Sequence, residues 1–313
     1  MLGKGANGMD DYDEQAAWSC FTQTGRVQDY LIYTQCKQQN AARQEDSHAD
    51  RDRRPGDYGA AVGESDRLIT VLTREEGVLR AFARKAKLLR SSKLSATQLL
   101  CYSRFLIYKG RDKYIIDDAQ PVEVFFDLRR DIGSLSLAQY FCELAGALAP
   151  QEAEAGDFLR LLLRAFYYLS KGTRPHLLVK AAVEMRMLSL AGYMPDLVCC
   201  AGCACYEAET MLFLPRSGVL YCQSCYSQGA EPAVPLSPGA LTALRHTVYA
   251  DFDKLFAFRL PEAGLWEVAR ASEAYVLNTL GRSFPTLDFY HQAEPGGRTV
   301  PMEGTQTEKM DKG

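Results

Sequence analysis

Four cysteines in the second half of the chain have the spacing of a metal site. Cys200 and Cys203 form one C-x2-C pair, and eighteen residues later Cys222 and Cys225 form another. Such a pair closes a tight turn whose backbone N–H groups can bond thiolate sulfurs, and two pairs supply a tetrahedral shell for Zn²⁺. Because four thiolates leave no open coordination position, the spacing predicts a structural zinc ion and not a catalytic one.

Two further cysteines leave the register of the first pair open. Cys199 precedes Cys200 and Cys205 follows Cys203, so either can compete as a ligand. Only Cys200 gives the x2 spacing to Cys203, and we favour it for that reason. The alternative for the whole group is buried or adventitious cysteine, which the doubled spacing disfavours.

The sequence between and around the two pairs predicts the elements that position them. Met211–Leu214, a Pro-Arg-Ser-Gly turn and Val219–Tyr221 have the pattern of a hairpin that leads into the second pair, which predicts a zinc ribbon over residues 199–226. Apolar residues at helical spacing lie on both sides of it, from 158 to 188 and from 265 to 276. Ser237 and Pro238 have the pattern of a helix N-cap followed by proline.

A second chemical feature is a concentration of positive charge. The chain has a net charge of −3, yet the stretch from Arg80 to Lys113 carries +9 and the remainder −12. Its ten basic residues are Arg80, Arg84, Lys85, Lys87, Arg90, Lys93, Arg104, Lys109, Arg111 and Lys113. A net charge does not reveal distribution, so the low total excludes no class of partner. A solvated surface is the alternative interpretation of such a run.

Aromatic residues within this stretch favour nucleic-acid binding. Alternation over Val78–Arg84 places Phe82 on one strand face with two arginines. A second alternating set is Tyr102, Arg104, Leu106 and Tyr108. Cations interleaved with aromatic rings suit a surface that stacks bases and follows phosphates. Strands are expected at 68–72, 78–84, 99–108, 114–117 and 120–126, which indicates a small β-barrel.

The fold class predicted is therefore α+β with two domains: a small barrel over 62–133 and a helical domain over 134–291 that contains the ribbon. Residues 1–61 are polar and glycine-rich, and we predict a largely disordered extension in which only Tyr30–Tyr33 can form a short strand. Residues 292–313 are expected to form a flexible tail.

Several function classes lack their signatures. No apolar run of membrane-spanning length and no signal peptide occurs, so we expect a cytoplasmic protein with reduced thiols and no membrane partner. The four histidines are scattered, and the phosphate-loop, dinucleotide, metalloprotease and hydrolase motifs are absent, which predicts no catalytic residues. Two alternatives remain open: a zinc-dependent nucleic-acid hydrolase, or a zinc-ribbon transcription or adaptor protein.

The order of short motifs resembles one bacterial family. They are Gly63-Glu-Ser-Asp-Arg-Leu-Ile69, the strand 79–84 with its basic loop, Tyr102-Ser-Arg-Phe105, the stretch AQYFCELA at 138–145, and Gly192-Tyr-Met-Pro195 before the cysteines. Over about residues 62–290 the chain resembles the recombination mediators of the RecO family, and within it the zinc-containing branch.

The resemblance implies an N-terminal OB-fold and a helical C-terminal domain with an inserted ribbon. It implies binding of single- and double-stranded DNA, annealing of complementary strands, and loading of RecA with RecR onto strands coated by single-stranded DNA-binding protein (SSB), whose tail is a further partner. By position, Cys200, Cys203, Cys222 and Cys225 match the family's zinc ligands, and the basic residues of 80–93 match its DNA-binding side. The expected location is cytoplasmic and nucleoid-associated.

The chain departs from the family at two places. The family's first barrel strand lies directly before the Gly-Glu-x-Asp-Arg motif, whereas Val62 follows Tyr58-Gly-Ala-Ala61 with no clear strand. A missing strand would leave a barrel edge open, and a shifted reading frame or wrong gene start is the alternative origin of residues 1–61. The family's usual glycine in the basic loop corresponds to Lys85.

Overall fold

The computed structural model describes residues 29–33, 65–91, 93–110, 113–227 and 231–293. Packing divides them into two units. The first contains the described residues up to Val124 together with Pro150–Leu159, and the second contains Phe125–Ala149 and the described residues from Arg160 onward.

The first unit is a closed five-stranded barrel. Its strands are β1 (Asp29–Tyr33), β2 (Arg67–Thr73), β3 (Val78–Ala83), β4 (Cys101–Lys109) and β5 (Tyr114–Val124), and a one-turn helix α1 (Lys93–Ala96) precedes β4. The order around the barrel is β1-β2-β3-β5-β4. All pairs are antiparallel except β3 with β5. This topology agrees with the OB-like barrel that the sequence predicts.

The barrel closes around alternating small and branched side chains. Buried residues of β2, β3, α1, β4 and β5, with one from the loop after β3, form a single cluster: Ile69, Val71, Leu79, Ala81, Ala83, Ala86, Ala96, Phe105, Ile116 and Ala119. Because successive strand residues point to opposite faces, the other set on β3 faces solvent. The interior therefore fixes which side chains of β3 are outside.

The first barrel strand comes from the segment that sequence assigns to an extension. The predicted short strand at Tyr30–Tyr33 is confirmed as part of β1, which pairs with both β2 and β4 and closes the barrel. Its distance along the chain from the Gly-Glu-x-Asp-Arg motif explains why local pattern did not identify it as the barrel's first strand. The other residues of 1–61 lie outside the described part of the chain.

Irregularities in β4 and β5 change two details predicted from alternation. The two strands expected at 114–117 and 120–126 form one strand, β5, with register shifts against β4 at Tyr102/Ser103 and Leu106/Ile107. A bulge reverses the side-chain alternation beyond it. Tyr102 is consequently buried, whereas Arg104, Leu106 and Tyr108 remain exposed. The prediction that all four share one outer face is wrong for Tyr102.

The turn between β2 and β3 depends on a glycine. Gly77 has φ +64°, and a Cβ there would collide with the carbonyl of Pro150. The carbonyl accepts a hydrogen bond from Val78 N at 2.8 Å, and Arg74 O accepts one from Ala155 N at 2.7 Å. These bonds hold the Pro150–Leu159 segment in the first unit.

The second unit combines five longer helices with a small sheet. The helices are α2 (Ile132–Leu148), α3 (Gly156–Lys171, which begins in the first unit), α4 (His176–Leu190), α5 (Pro238–Tyr249) and α6 (Glu262–Leu280), and a shorter α7 (Pro285–Ala293) follows. The strands are β6 (Asp196–Cys200), β7 (Met211–Leu214), β8 (Val219–Cys222) and β9 (Val234–Leu236), in the order β6-β8-β7-β9. Single-turn 3₁₀ helices lie at Phe126–Arg130 and Phe252–Lys254.

Helix ends follow the signals in the sequence. Ser237 Oγ accepts a hydrogen bond from Ala240 N at the start of α5, and Pro238 is its first residue, as predicted. Gly281, with φ 60°, ends α6. Asp131 accepts from Ser134 N at 2.7 Å at the start of α2. None of the described helices is long and apolar enough to cross a membrane.

Candidate functional site

The four cysteines of the two C-x2-C pairs converge at one point. The sulfurs of Cys200, Cys203, Cys222 and Cys225 all lie within 4.8 Å of one another. Cys203 and Cys222, one from each pair, have their sulfurs 3.7 Å apart. Four sulfurs at about 2.3 Å from a common centre would have separations in this range. The donor set therefore fits a tetrahedral zinc ion, with each predicted ligand present.

Backbone N–H groups point at the sulfurs. Cys200 Sγ accepts hydrogen bonds from Gly202 N at 3.3 Å and from Cys222 N at 3.2 Å. Such bonds stabilise a thiolate and orient it toward a metal. The two turns approach each other closely at Gly202, where a Cβ would lie 2.8 Å from the Cβ of Cys225. Glycine is therefore required at position 202 for the sulfurs to meet.

The four thiols differ in how easily they lose a proton. Burial opposes ionisation of Cys200, but backbone N–H groups that donate to its sulfur lower its pKa to about 6. Hydrogen bonds to the sulfurs of Cys222 and Cys203 raise the pKa of Cys225 to about 12. A divalent ion supplies the positive charge that lets all four ionise.

The two additional cysteines take different positions. Cys199 lies on β6 beside Cys200 and is half-buried. Cys205 is also half-buried, and hydrogen bonding to Cys203, together with burial, raises the pKa of its thiol to about 12. Neither belongs to the group of four converging sulfurs. The geometry agrees with the register that pairs Cys200 with Cys203, and it leaves Cys205 as a fifth thiol at the edge of the cluster.

One buried arginine connects the ribbon to α5. Nε of Arg245 donates a hydrogen bond to Leu197 O at 2.7 Å. Its Nη2 donates to Val198 O at 2.9 Å and to Tyr206 O at 2.7 Å. Its guanidinium also lies 3.9 Å from the centroid of the Tyr206 ring. These bonds span both sides of the first C-x2-C pair. The arginine therefore fixes that turn, and no local sequence motif indicated it.

The outer surface of β3 carries the predicted alternation of cations and an aromatic ring. Arg80 and Arg84 are exposed, and Phe82 between them is half-buried. Lys113 Nζ lies 5.0 Å from the centroid of the Phe82 ring. A flat ring flanked by positive charge is a surface on which a base can stack while phosphates contact the neighbouring cations.

A basic loop continues from the end of β3. Lys85, Lys87 and Arg90 are exposed, together with Leu89, whose relative exposure is 93%. Lys85 has φ 56°, a left-handed conformation that favours glycine, and its N–H donates to Asp66 Oδ1 at 2.7 Å. Lys85 thus adopts a backbone conformation that a glycine takes more readily than any other residue.

The remaining predicted cations are arranged differently. Lys93 Nζ donates to Ile116 O at 3.1 Å, so this lysine binds the barrel backbone. Lys109 pairs with Glu152 at 3.1 Å, and both side chains are exposed. Arg104 is exposed on β4. Arg111 lies outside the described residues.

Together these features define a class of protein. It is an α+β protein with an OB-like barrel and a helical unit that contains a four-cysteine ribbon. The family model described as "Recombination protein O N terminal" matches residues 59–125, and the one described as "Recombination protein O C terminal" matches residues 129–288. The chain belongs to the RecO family.

Similar curated proteins carry the same description. The "DNA repair protein RecO" of Acetivibrio thermocellus is 32% identical over 228 residues, which cover 73% of this chain and 90% of the relative. Those of Symbiobacterium thermophilum and Desulforudis audaxviator are 31% and 35% identical, over 72% and 74% of this chain and 90% and 91% of their own lengths. Membership therefore places the chain in a family of DNA repair and recombination proteins.

Proposed function

We propose that this protein acts in DNA repair and homologous recombination by binding single- and double-stranded DNA and annealing complementary strands. With RecR it helps to load RecA onto DNA coated by SSB, whose tail is a further partner. It does so without catalytic turnover and in the cytoplasm at the nucleoid. The observation that carries the proposal is the continuous surface of Arg80, Phe82 and Arg84 on β3, which leads into a basic loop.

The charge of this surface is available for phosphate. Within the described part of the chain, none of Arg80, Arg84, Lys85, Lys87 and Arg90 forms an ion pair, and all are exposed. Each phosphate contact releases condensed counterions. If about six cations engage double-stranded DNA, the logarithm of the binding constant falls with a slope of about −5 against the logarithm of salt concentration.

The ten predicted cations do not contribute equally. Lys93 holds the barrel backbone, and Lys109 is neutralised by Glu152. We therefore assign the principal contacts to the five cations of β3 and its loop. Arg104 and Lys113 extend the proposed surface along the β4–β5 side, and Lys93 contributes through the position of the loop. Lys109, which would have to exchange Glu152 for phosphate, and Arg111, which lies outside the described residues, are secondary contacts in this proposal.

The zinc ion has a structural role in this proposal. Cys200, Cys203, Cys222 and Cys225 hold it, so the ribbon belongs to the zinc-containing branch of the family. The ion supplies a cross-link between the two turns. Since four thiolates complete the shell, the site offers no position for an activated water. This donor set disfavours the alternative of a zinc-dependent hydrolase.

The experiment is strand annealing and DNA binding with the full chain, without ATP. The test variant reverses three loop charges (Lys85→Glu, Lys87→Glu, Arg90→Glu), and a matched control reverses three exposed cations elsewhere (Lys171→Glu, Arg216→Glu, Arg259→Glu). We expect the loop variant to lose annealing and the control to keep it. Equal DNA affinity in all three proteins would instead support the adaptor alternative, and chelator-sensitive cleavage would support the hydrolase.

A further inference from the structure

We propose that Glu152 competes with DNA for Lys109, so that its carboxylate occupies a phosphate position at one end of the barrel's DNA-binding surface. The inference rests on the proposed function, because it concerns the surface assigned there to DNA. It adds a residue that limits affinity, since a phosphate can bind Lys109 only after it has displaced Glu152. DNA binding should therefore be weaker in the wild type than in a chain that lacks this carboxylate.

The carboxylate of Glu152 lies on donors that a phosphate could use. Lys109 Nζ donates to Glu152 Oε1 at 3.1 Å, and the hydroxyl of Tyr114 lies 3.5 Å from the same oxygen. The ammonium of Lys109 also lies 5.3 Å from the centroid of the Tyr114 ring. Lysine ammonium and tyrosine hydroxyl groups both donate hydrogen bonds to phosphate oxygens in DNA complexes. An internal carboxylate therefore occupies the place of a phosphate oxygen.

This position is continuous with the surface of β3. Tyr114 is the first residue of β5, where it pairs with Ala81 of β3 on one side and with Lys109 of β4 on the other. Ala81 lies between Arg80 and Phe82, which belong to the proposed DNA-binding surface. Because neighbouring strands are about 5 Å apart, the backbone of Lys109 lies about 10 Å from that of β3. One DNA strand can therefore contact both.

Backbone hydrogen bonds hold Glu152 beside Lys109. The segment that contains Glu152 belongs to the barrel unit. Glu152 N donates to Glu76 O at 2.9 Å, and Val78 N donates to Pro150 O at 2.8 Å. Glu152 has φ 55°, a left-handed conformation that is unfavourable for a residue with a Cβ. Since the segment is tied to the turn between β2 and β3, its carboxylate competes with phosphate at a high effective concentration.

The ion pair is nevertheless weak enough to be exchanged. The side chains of Lys109 and Glu152 have relative exposures of 64% and 69%. An ion pair exposed to this extent contributes little free energy, because water and salt screen it. A DNA strand that already contacts the cations of β3 can therefore replace the carboxylate with a phosphate. Glu152 is expected to reduce DNA affinity without abolishing it.

The test is a double-mutant cycle with the full chain, measured by fluorescence anisotropy of single- and double-stranded DNA over a range of salt concentrations. The variants are Glu152→Gln, Lys109→Gln and the combination of the two. Glu154→Gln is the matched control, because Glu154 is exposed on the same segment and its replacement changes the net charge equally. Glu152→Gly removes the carboxylate from a residue type that suits the left-handed backbone. Thermal unfolding of each variant checks that it is folded.

We expect Glu152→Gln to bind DNA about twofold to fivefold more tightly at low salt, which is the range for an exposed ion pair. The slope of the logarithm of the binding constant against that of salt concentration should steepen by about 0.9 for double-stranded and about 0.7 for single-stranded DNA, as for one more phosphate contact. Glu152→Gly should bind as tightly as Glu152→Gln. In the Lys109→Gln background, Glu152→Gln should have no more effect than Glu154→Gln has in the wild type.

Equal gains in Glu152→Gln and Glu154→Gln, or a gain that persists in the Lys109→Gln background, would mean a general effect of charge and would overturn the proposal. A gain in Glu152→Gly alone would attribute the effect to the backbone and would also overturn it. If the wild type and all variants bind no DNA, the proposed function fails together with this inference. If the wild type binds DNA and Glu152→Gln binds it no more tightly, only the competition is refuted.

Discussion

Lys180 on α4 and Glu273 on α6 form an ion pair inside the helical unit, with Nζ 2.8 Å from Oε2. Lys180 also lies 2.8 Å from Glu184 Oε1, and both of these residues are almost fully buried. Glu184 accepts further hydrogen bonds from Tyr140 on α2 at 2.8 Å and from Ser272 at 2.6 Å. One lysine therefore joins carboxylates from two different helices, of which Glu184 is fully buried and Glu273 is partly buried.

Replacing this lysine should destabilise the helical unit strongly. Lys180→Met keeps the apolar stem but removes the positive charge that lies between the carboxylates of Glu184 and Glu273. Breaking a buried ion pair in this way costs about 3–5 kcal/mol. We expect the midpoint of urea unfolding to fall accordingly. Lys171→Met, an exposed lysine on α3, is the control and should change stability by less than about 0.5 kcal/mol. A similar small change for Lys180→Met would contradict a structural role.

The same ion pairs predict how the free energy of unfolding changes with pH in the acid range. Burial opposes ionisation of Glu273, but the charge of Lys180 and a hydrogen bond from His291 lower its pKa to about 2. Because the folded pKa lies below the unfolded value of about 4.5, the unfolded state binds more protons between them. This carboxylate therefore contributes stability above about pH 4.5 that is lost as the pH falls toward 2.

Glu273→Gln should lower stability at pH 7 and flatten its decline in acid. The difference between variant and wild type is expected to shrink by about 2 kcal/mol between pH 5 and pH 2.5, measured by unfolding at each pH. Exposed Glu209→Gln serves as the control. Parallel stability curves for Glu273→Gln and the wild type would exclude this contribution.

Local signals in the sequence predicted most of the candidate site. The ribbon follows from cysteine spacing and a hairpin pattern, which are local features, and the face of β3 follows from alternation over six residues. Pairing between strands that are far apart in the sequence could not be predicted from local patterns. The barrel's use of Asp29–Tyr33 depends on contacts with strands about 40 and 70 residues away, and the bulges that bury Tyr102 depend on the partner strand.

The sequence contains no pattern that identifies Lys180 and Glu184 as buried charges. Because α4 is buried on nearly every side from Leu178 to Leu188, hydrophobic periodicity cannot mark Lys180 or Glu184 as interior positions. A lysine and a glutamate four residues apart are usual on exposed helix surfaces. Only the packing of α6 shows that this pair is enclosed.

Phe82 should contribute to single-stranded DNA binding through stacking. Phe82→Leu keeps an apolar side chain against β2 but removes the ring that lies beneath Lys113. Loss of one stacked base is expected to weaken binding of single-stranded DNA by about 1–3 kcal/mol. Double-stranded DNA, whose bases are not available for stacking, should bind as before. Fluorescence anisotropy with both DNA forms at one salt concentration measures the difference. Equal losses for both forms would indicate a packing defect, and stacking would be excluded.

At Lys85 the side chain is expected to lower folding stability through backbone strain and to raise DNA affinity through its charge. A side chain in the left-handed region costs about 1 kcal/mol relative to glycine, so Lys85→Gly is expected to stabilise the chain by up to that amount while it weakens DNA binding. Lys85→Ala removes the same charge and retains a Cβ, so it should weaken binding without the gain in stability. Thermal unfolding and DNA titration of both variants separate the two effects. A stability gain in Lys85→Ala equal to that in Lys85→Gly would refute the conformational explanation.

The close approach at Gly202 should make the zinc site sensitive to a single methyl group. In Gly202→Ala the new Cβ would lie 2.8 Å from the Cβ of Cys225, so one turn must move and the four sulfurs can no longer share one centre. Gly239→Ala on α5 adds the same group where the nearest side-chain atom is 3.4 Å away, and it is the matched control. Competition with a chromogenic chelator should show zinc affinity lowered at least about tenfold in Gly202→Ala and unchanged in the control. Because the first turn is also tied to Arg245, loss of metal should lower the unfolding temperature of the helical unit in proportion. Wild-type zinc affinity in Gly202→Ala would mean that the sulfurs do not form the tetrahedral group.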